Sequence, residues 1–290
     1  MSPPPVGLRP AVWRTRTREL SLSRVLVMGI LNVTPDSFSD GGRFLDVEAA
    51  VAHGRRLVAE GADLVDVGGE STRPGAAEVA AGEELRRVIP VIEALAARGV
   101  VVSVDTSKPE VARRSMEAGA EIVNDVTGLA SPAMREEVAA SGAGVVVMHM
   151  QGSPRTMQDD PRYADVVTEV EALLLARAAA AQAAGVPAAS IALDPGIGFG
   201  KSLRHNLVLL RDLDRLAVHG HPLVVGTSRK SFLGRLTGVE IPELRDGSTA
   251  VTVALAVERG ASVVRVHDSR SAREAAAVAE AIVRPEGVAE

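Results

Sequence analysis

The sequence predicts an α/β chain built as one (β/α)8 TIM barrel with a short N-terminal extension. Three observations lead there. Short Val- and Ile-rich runs recur eight times along the chain. Seven of the eight come shortly after a glycine that closes a helical stretch. Every run carries a polar or charged residue at or just past its C-terminal end. The chain has 290 residues and is 46% hydrophobic, which suits one large α/β core or two small ones.

Residues 1–20 are rich in Pro and Arg and lack periodicity; they read as a partly ordered extension that Trp13 pins down, with the barrel over residues 21–290. The first apolar run is Val25–Leu31. The other seven are Leu64–Val67, Val100–Val104, Ile122–Val126, Val145–Met148, Ile191–Leu193, Leu223–Val225 and Val263–Val266. Gly61, Gly99, Gly119, Gly142, Gly185, Gly220 and Gly260 stand before them, where glycine accepts the left-handed backbone that ends a helix. Runs without polar alternation suit strands covered on both faces of a parallel sheet. Between them, Leu85, Val88, Ile89, Ile92 and Leu95 share one helical stripe, and Pro90 inside it marks a kink or the true start of that helix. Ser107 with Glu110 reads as a capping box, and Ser131 before Pro132 as an N-cap followed by a first-turn proline.

The polar strand ends are Asn32, Asp66 with Glu70, Asp105, Asn124, His149, Asp194, Ser228, and Arg265 with His267. An open doubly wound sheet brings only the strands at its switch point to a ligand. A closed barrel gathers all eight ends at one mouth, which is why eight out of eight favours it.

Composition excludes several classes. The net charge of −5 argues against a nucleic-acid binder built on a basic face. The absence of cysteine excludes disulfides, Cys–metal sites and thiol catalysis. Aromatic residues make up 2% of the chain, too few for base-stacking platforms. No run of 18 uncharged apolar residues is present, and Val25–Leu31 lacks a cleavage pattern, so the expected compartment is the cytoplasm, away from membranes.

The expected mouth carries two unusual loops, Asn32-Val33-Thr34-Pro35-Asp36-Ser37-Phe38-Ser39-Asp40-Gly41-Gly42 and Gly68-Gly69-Glu70-Ser71-Thr72-Arg73-Pro74-Gly75. Loops that mix glycine with hydroxyls, charge and an aromatic ring over a rigid scaffold are where function concentrates. Arg265 and His267 are two apart and face one side of a strand, and barrel closure sets them beside Asn32. A guanidinium fork, an imidazole and an amide suit phosphate oxygens, and an Asn oxygen can hold Mg2+ alongside phosphate and water. Asp105, Asn124, Asp194 and Lys230 suit a flat heterocycle, the carboxylates accepting paired N–H donors and Lys230 donating; the alternative is an internal Asp–Lys pair. Gly196-Ile197-Gly198-Phe199-Gly200-Lys201-Ser202 has the wrong spacing for a P-loop. No HExxH or Gly-x-Ser-x-Gly motif occurs, and no Ser–His pair stands out for acyl transfer.

The first of these loops with Gly29-Ile30-Leu31 before it, the Gly69–Gly75 segment, Ser103-Val104-Asp105-Thr106-Ser107-Lys108, Asp194–Lys201 and Gly226-Thr227-Ser228-Arg229-Lys230-Ser231 resemble the dihydropteroate synthase family, in order, from about Val25 to Val283. The resemblance implies a (β/α)8 folate-pathway transferase, usually a homodimer and a sulfonamide target. It joins 6-hydroxymethyl-7,8-dihydropterin diphosphate to 4-aminobenzoate and releases diphosphate, with Mg2+. It assigns Asp105, Asn124, Asp194 and Lys230 to the pterin pocket, and Asn32, Arg265 and His267 to the diphosphate and Mg2+ site. Phe38, Thr72, Arg73, Phe199, Ser228 and Arg229 fall to the 4-aminobenzoate loops, with Thr72 also reaching the pterin diphosphate. Asp105, Asp194, Lys230, Arg265 and His267 are the expected catalytic set. Ser269 departs from the family pattern, past the site. The alternatives are a methyl-tetrahydrofolate-binding barrel of the corrinoid methyltransferase type, which needs no diphosphate site, and an inactive paralogue.

Overall fold

The computed structural model describes residues 10–33, 43–71, 75–76 and 78–287. An antiparallel hairpin, β1 (Val12–Arg14) and β2 (Glu19–Ser21), comes first. Eight parallel strands follow: β3 (Leu26–Asn32), β4 (Leu64–Gly68), β5 (Val101–Asp105), β6 (Ile122–Asp125), β7 (Gly144–Met148), β8 (Ile191–Asp194), β9 (Val224–Val225) and β10 (Val263–Val266). Their order is β8-β7-β6-β5-β4-β3-β10-β9. A parallel bridge between Leu193 and Leu223 joins β8 to the approach of β9, and this closes the ring. The expected barrel is therefore the observed one, and each strand stands on one of the eight apolar runs.

Helices alternate with the strands: α1 (Arg43–Ala59), α2 (Ala81–Ala96), α3 (Pro109–Glu117), α4 (Pro132–Ser141), α5 (Val166–Ala183), α6 (Leu203–Arg211), α7 (Asp214–Ala217), α8 (Ser231–Thr237), α9 (Asp246–Glu258) and α10 (Ser269–Val283). The seven punctuating glycines all have positive φ, from 68° to 107°. Ser131 is the N-cap of α4 with Pro132 behind it, as expected, although its side chain makes no cap bond. Pro90 lies inside α2 and does not start it. The Ser107–Glu110 capping box is not made. Pro109 takes the first-turn position of α3, so Lys108 becomes the N-cap and Glu110 falls one place too early.

Two-residue alternation along the strands divides the core in two. Outward residues such as Val27, Leu31, Val65, Val67, Val102, Val104, Val147, Leu193 and Val264 pack under the helices. Inward residues at the N-terminal end, Leu26, Met28, Leu64, Val101, Ile122, Val146, Ala192, Val224 and Val263, fill the barrel base. Trp13 joins this second cluster, wholly buried, and its Nε1 donates to the Ser190 carbonyl at 3.0 Å. Thr15 and Thr17 both donate to Glu121, so residues 10–21 are a fixed plug under the barrel. Farther along the same inward phase the residues turn polar, and this is where the strand-end residues meet.

Candidate active site

The floor of the cup is ionic. Arg265 on β10 donates through Nε to Asp66 Oδ2 at 2.6 Å and through Nη2 to Asp105 Oδ2 at 2.7 Å. Asn124 Nδ2 donates to the same Asp66 oxygen at 2.9 Å. Asp66 is fully buried on the inward phase of β4, between Leu64 and Gly68. Burial pushes the Asp105 carboxyl up; the Arg265 guanidinium opposes this, while Asp66, Glu84 and Asp125 add to the upward push. Burial alone would lower Arg265, but the Asp66 and Asp105 carboxylates outweigh it and keep the guanidinium charged. Arg265 thus pairs within the cup and not with Asp268, whose side chain instead caps α10.

One wall is built by the loop after β8. Asp194 ends that strand, and its Oδ1 accepts the Gly196 N–H at 2.7 Å. Gly196 has φ +64°, and a Cβ there would overlap the His149 carbonyl oxygen, so only glycine lets this loop lie on the loop after β7. Burial raises Asp194, and Lys230 is the first of the groups that hold it down. Lys230 donates to the Ile197 carbonyl, and its Nζ stands 4.6 Å from the centroid of the Phe199 ring. Burial lowers the Lys230 amine to about 8, with Asp194 pulling it up. Asp194 and Lys230 attract one another through space while their hydrogen bonds go to the Gly196 N–H and the Ile197 carbonyl, so both keep hydrogen-bonding capacity for a ligand.

The rim carries the remaining groups. Asn32, Gly68, Asp105 and Asn124 stand in one register row across β3 to β6. A Cβ on Gly68 would lie 3.7 Å from Asn32 Oδ1 and 3.8 Å from Asp105 Oδ2; its absence leaves the Asn32 oxygen uncovered on that side, while Asp105 Oδ2 is held by Arg265. Ser228 Oγ meets His267 Nδ1 at 2.9 Å and accepts the His267 N–H at 3.0 Å. Arg229 holds Asp246 with a two-pronged bond at 2.8 and 2.7 Å, so its fork is engaged at the rim. The base of the second loop is tied down: Glu70 accepts from the Val79 N–H and from Lys108, which also reaches the buried Glu84. Phe38, Thr72 and Arg73 lie outside the described residues.

The family model described as "Pterin binding enzyme" matches residues 28–267. The chain belongs to the pterin-binding enzyme family. It is 51% identical to dihydropteroate synthase of Escherichia coli strain K12 over 263 residues, covering 90% of this chain and 93% of that one. Among solved structures it is similar to Xanthomonas albilineans dihydropteroate synthase with 4-aminobenzoic acid, at TM-score 0.89 and 49% identity over 97% of this chain and all of that one. It is also similar to the same organism's enzyme in complex with 7,8-dihydropteroate, at TM-score 0.85 and 46% identity, covering 96% of this chain and 100% of that one.

Within this pterin-binding barrel the structure brings Asp105, Asn124, Asp194, Lys230, Arg265, His267, Asn32, Ser228 and Phe199 to one end. Two residues were not assigned a role from sequence. Asp66 was visible only as a strand-end polar residue, though a carboxylate on the inward phase of a five-residue apolar strand is itself a signal. Lys201 was read past with the loop that lacks P-loop spacing. The Ser228–His267 pair escaped because its members are 39 positions apart. Among the described residues no cluster of three or more His, Cys, Asp or Glu could hold a metal, and no helix is long and apolar enough to cross a membrane.

Proposed function

We infer that this chain condenses 6-hydroxymethyl-7,8-dihydropterin diphosphate with 4-aminobenzoate, giving 7,8-dihydropteroate and diphosphate. One observation carries the reading. Two carboxylates and an amide on the inward strand ends of a pterin-binding barrel, with an amine from the loop after β9, are of the types a 2-amino-pyrimidinone edge requires. It is supported by the similar Xanthomonas albilineans enzymes, which are described with 4-aminobenzoic acid and with 7,8-dihydropteroate.

The chemistry follows from the charges. The pterin ring rests among Asp105, Asn124, Asp194 and Lys230. The bond between the exocyclic methylene and the diphosphate oxygen breaks, and its electron pair leaves with diphosphate. Arg265, His267 and Arg73 absorb the charge on the leaving group. The electron-rich dihydropterin spreads the positive charge left on the methylene, with Asp105 and Asp194 nearby. The lone pair of the 4-aminobenzoate nitrogen then forms the C–N bond, and the nitrogen loses its proton to water or to the leaving diphosphate. Phe38, Phe199, Ser228, Thr72 and Arg229 frame the arylamine.

Mg2+ fits the site as an ion that arrives with diphosphate. The open Asn32 oxygen is a hard ligand, and a single protein oxygen beside phosphate and water suits Mg2+. Its contribution when bound is to neutralise diphosphate charge. A homodimer is favoured by the resemblance and by an apolar face on paired helices. Val251 and Leu255 of α9 and Val278 and Ile282 of α10 are exposed at helical spacing, Ile282 at 74%. The cytoplasm is the proposed compartment, and a sulfonamide that mimics 4-aminobenzoate is the proposed inhibitor class.

The test is diphosphate release on mixing the two substrates, with calorimetry of the pterin diphosphate with and without Mg2+. Turnover that needs both substrates, and tighter binding with Mg2+, support the reading. Pterin binding with no diphosphate released would replace it with the binding-module alternative.

A further inference from the structure

The chain contains 29 arginines and three lysines, Lys108, Lys201 and Lys230. All three stand at the mouth end of the barrel, where a compact amine does what a planar guanidinium fork does not. Lys108 and Lys230 have been accounted for above. Lys201 has not. It is 3% exposed and has no carboxylate within ion-pair distance among the described residues. Its Nζ instead meets His149 Nδ1 at 2.9 Å, the Phe199 carbonyl at 2.9 Å and the His149 carbonyl at 3.4 Å. A buried lysine without a counter-charge is costly, so its retention needs a reason.

The contacts supply one. His149 belongs to the loop after β7, and Phe199 to the loop after β8. The two loops touch backbone to backbone at Gly196 and Gly200, where added Cβ atoms would strike the His149 and Gln151 carbonyls. Lys201 is the polar pin across that seam. The pinned loop presents the Ile197 carbonyl and the Phe199 ring to Lys230. The Tyr163 hydroxyl, donating to the Gly200 carbonyl at 2.7 Å, clamps the same loop from outside.

We propose that Lys201 is a positioning residue: it fixes the Gly196–Gly200 loop on the loop after β7, and thereby sets the Lys230 amine and the Phe199 ring that face the ligand. Lys201 does not touch the reacting atoms itself. Only the kinetic part of the test rests on the function inferred above.

The test uses the full-length chain carrying isotope-labelled lysine, which gives signals from three side chains. With the Lys230 Nζ 4.6 Å from the Phe199 ring centroid, the expected result is an upfield ring-current displacement of the Lys230 side-chain resonances, which Phe199→Leu identifies by removing it. In Lys201→Met the displacement collapses in a protein that still melts cooperatively, and kcat/KM falls about 10²-fold, as expected for a misplaced reacting group. His149→Asn, which removes one acceptor and keeps the lysine, gives a smaller change in the same direction and carries the test if Lys201→Met does not fold. Unchanged Lys230 resonances in a folded Lys201→Met or His149→Asn protein overturn the proposal, whatever the activity. Altered Lys230 resonances in Lys201→Met, together with a wild-type chain that releases no diphosphate, would uphold the positioning role and reject the assigned reaction.

Discussion

Replacing Asp66 by asparagine tests the ionic floor most directly, because shape is kept and one charge is removed. Asp66 Oδ2 accepts two bonds, from Arg265 Nε at 2.6 Å and Asn124 Nδ2 at 2.9 Å. With a neutral acceptor each loses about 1 kcal/mol, so about 2 kcal/mol in all. In a chain of 290 residues that lowers the melting temperature by about 3 °C. The catalytic effect has a sign. Asp66 is one of the carboxylates that push Asp105 up, and Arg265 is the group that holds it down. Without Asp66 the guanidinium serves Asp105 alone, and Asp105 ionises at lower pH. Activity requires the ionised form, so the acid limb of the kcat/KM profile moves to lower pH, even as looser Arg265 and Asn124 reduce the plateau. The assay is diphosphate release across the acid range beside a thermal melt. An acid limb that stays fixed or moves upward in a folded Asp66→Asn protein would refute the reasoning.

Other outcomes follow from the same geometry. Asp194→Asn lowers kcat by about 10²–10³-fold while pterin affinity changes less, since its charge matters most when the methylene is cationic; equal losses in calorimetry and turnover would remove that role. Burial, and then Lys201, hold the His149 imidazole down at about 3, against an ordinary 6.5. The unfolded chain therefore takes up a proton that the folded one refuses, so this stability is intact above about pH 6.5 and is lost as pH falls toward 3. His149→Asn flattens that part of the slope, which urea melts at about pH 7 and about pH 5 measure. Trp13→Ala costs about 3–5 kcal/mol by emptying the barrel base, with KM values unchanged; a melt identical to wild type would show that the plug is not anchored there.

Much of this was legible because the signals are local. A glycine that must adopt positive φ announces a helix end, and seven did so correctly. Strands covered on both faces announce themselves by lacking polar alternation. The strand-end chemistry of Asp105, Asn124, Asp194 and Arg265 could be read one residue at a time. What stayed hidden depends on three-dimensional closure. Asp66 acquires meaning only when β10 comes round to β3 and lowers Arg265 beside it. Ser228 and His267 meet through neighbouring strands far apart in sequence. Lys201 looked like part of a failed phosphate motif, and its burial is set by a loop seam that no periodicity records. The Ser107–Glu110 box failed for a local reason, since a proline one residue on claims the start of the helix. The hairpin at residues 12–21 is too short for its alternation to stand out among Pro and Arg.

The packed layer of inward side chains at the barrel base, with Trp13 beneath it, makes the cup blind. With that end filled by strand side chains and backed by the indole, a ligand reaches the cup from the strand-end side. On the proposed reaction, the compound that settles deepest would load first and its neighbour would have to clear before it leaves.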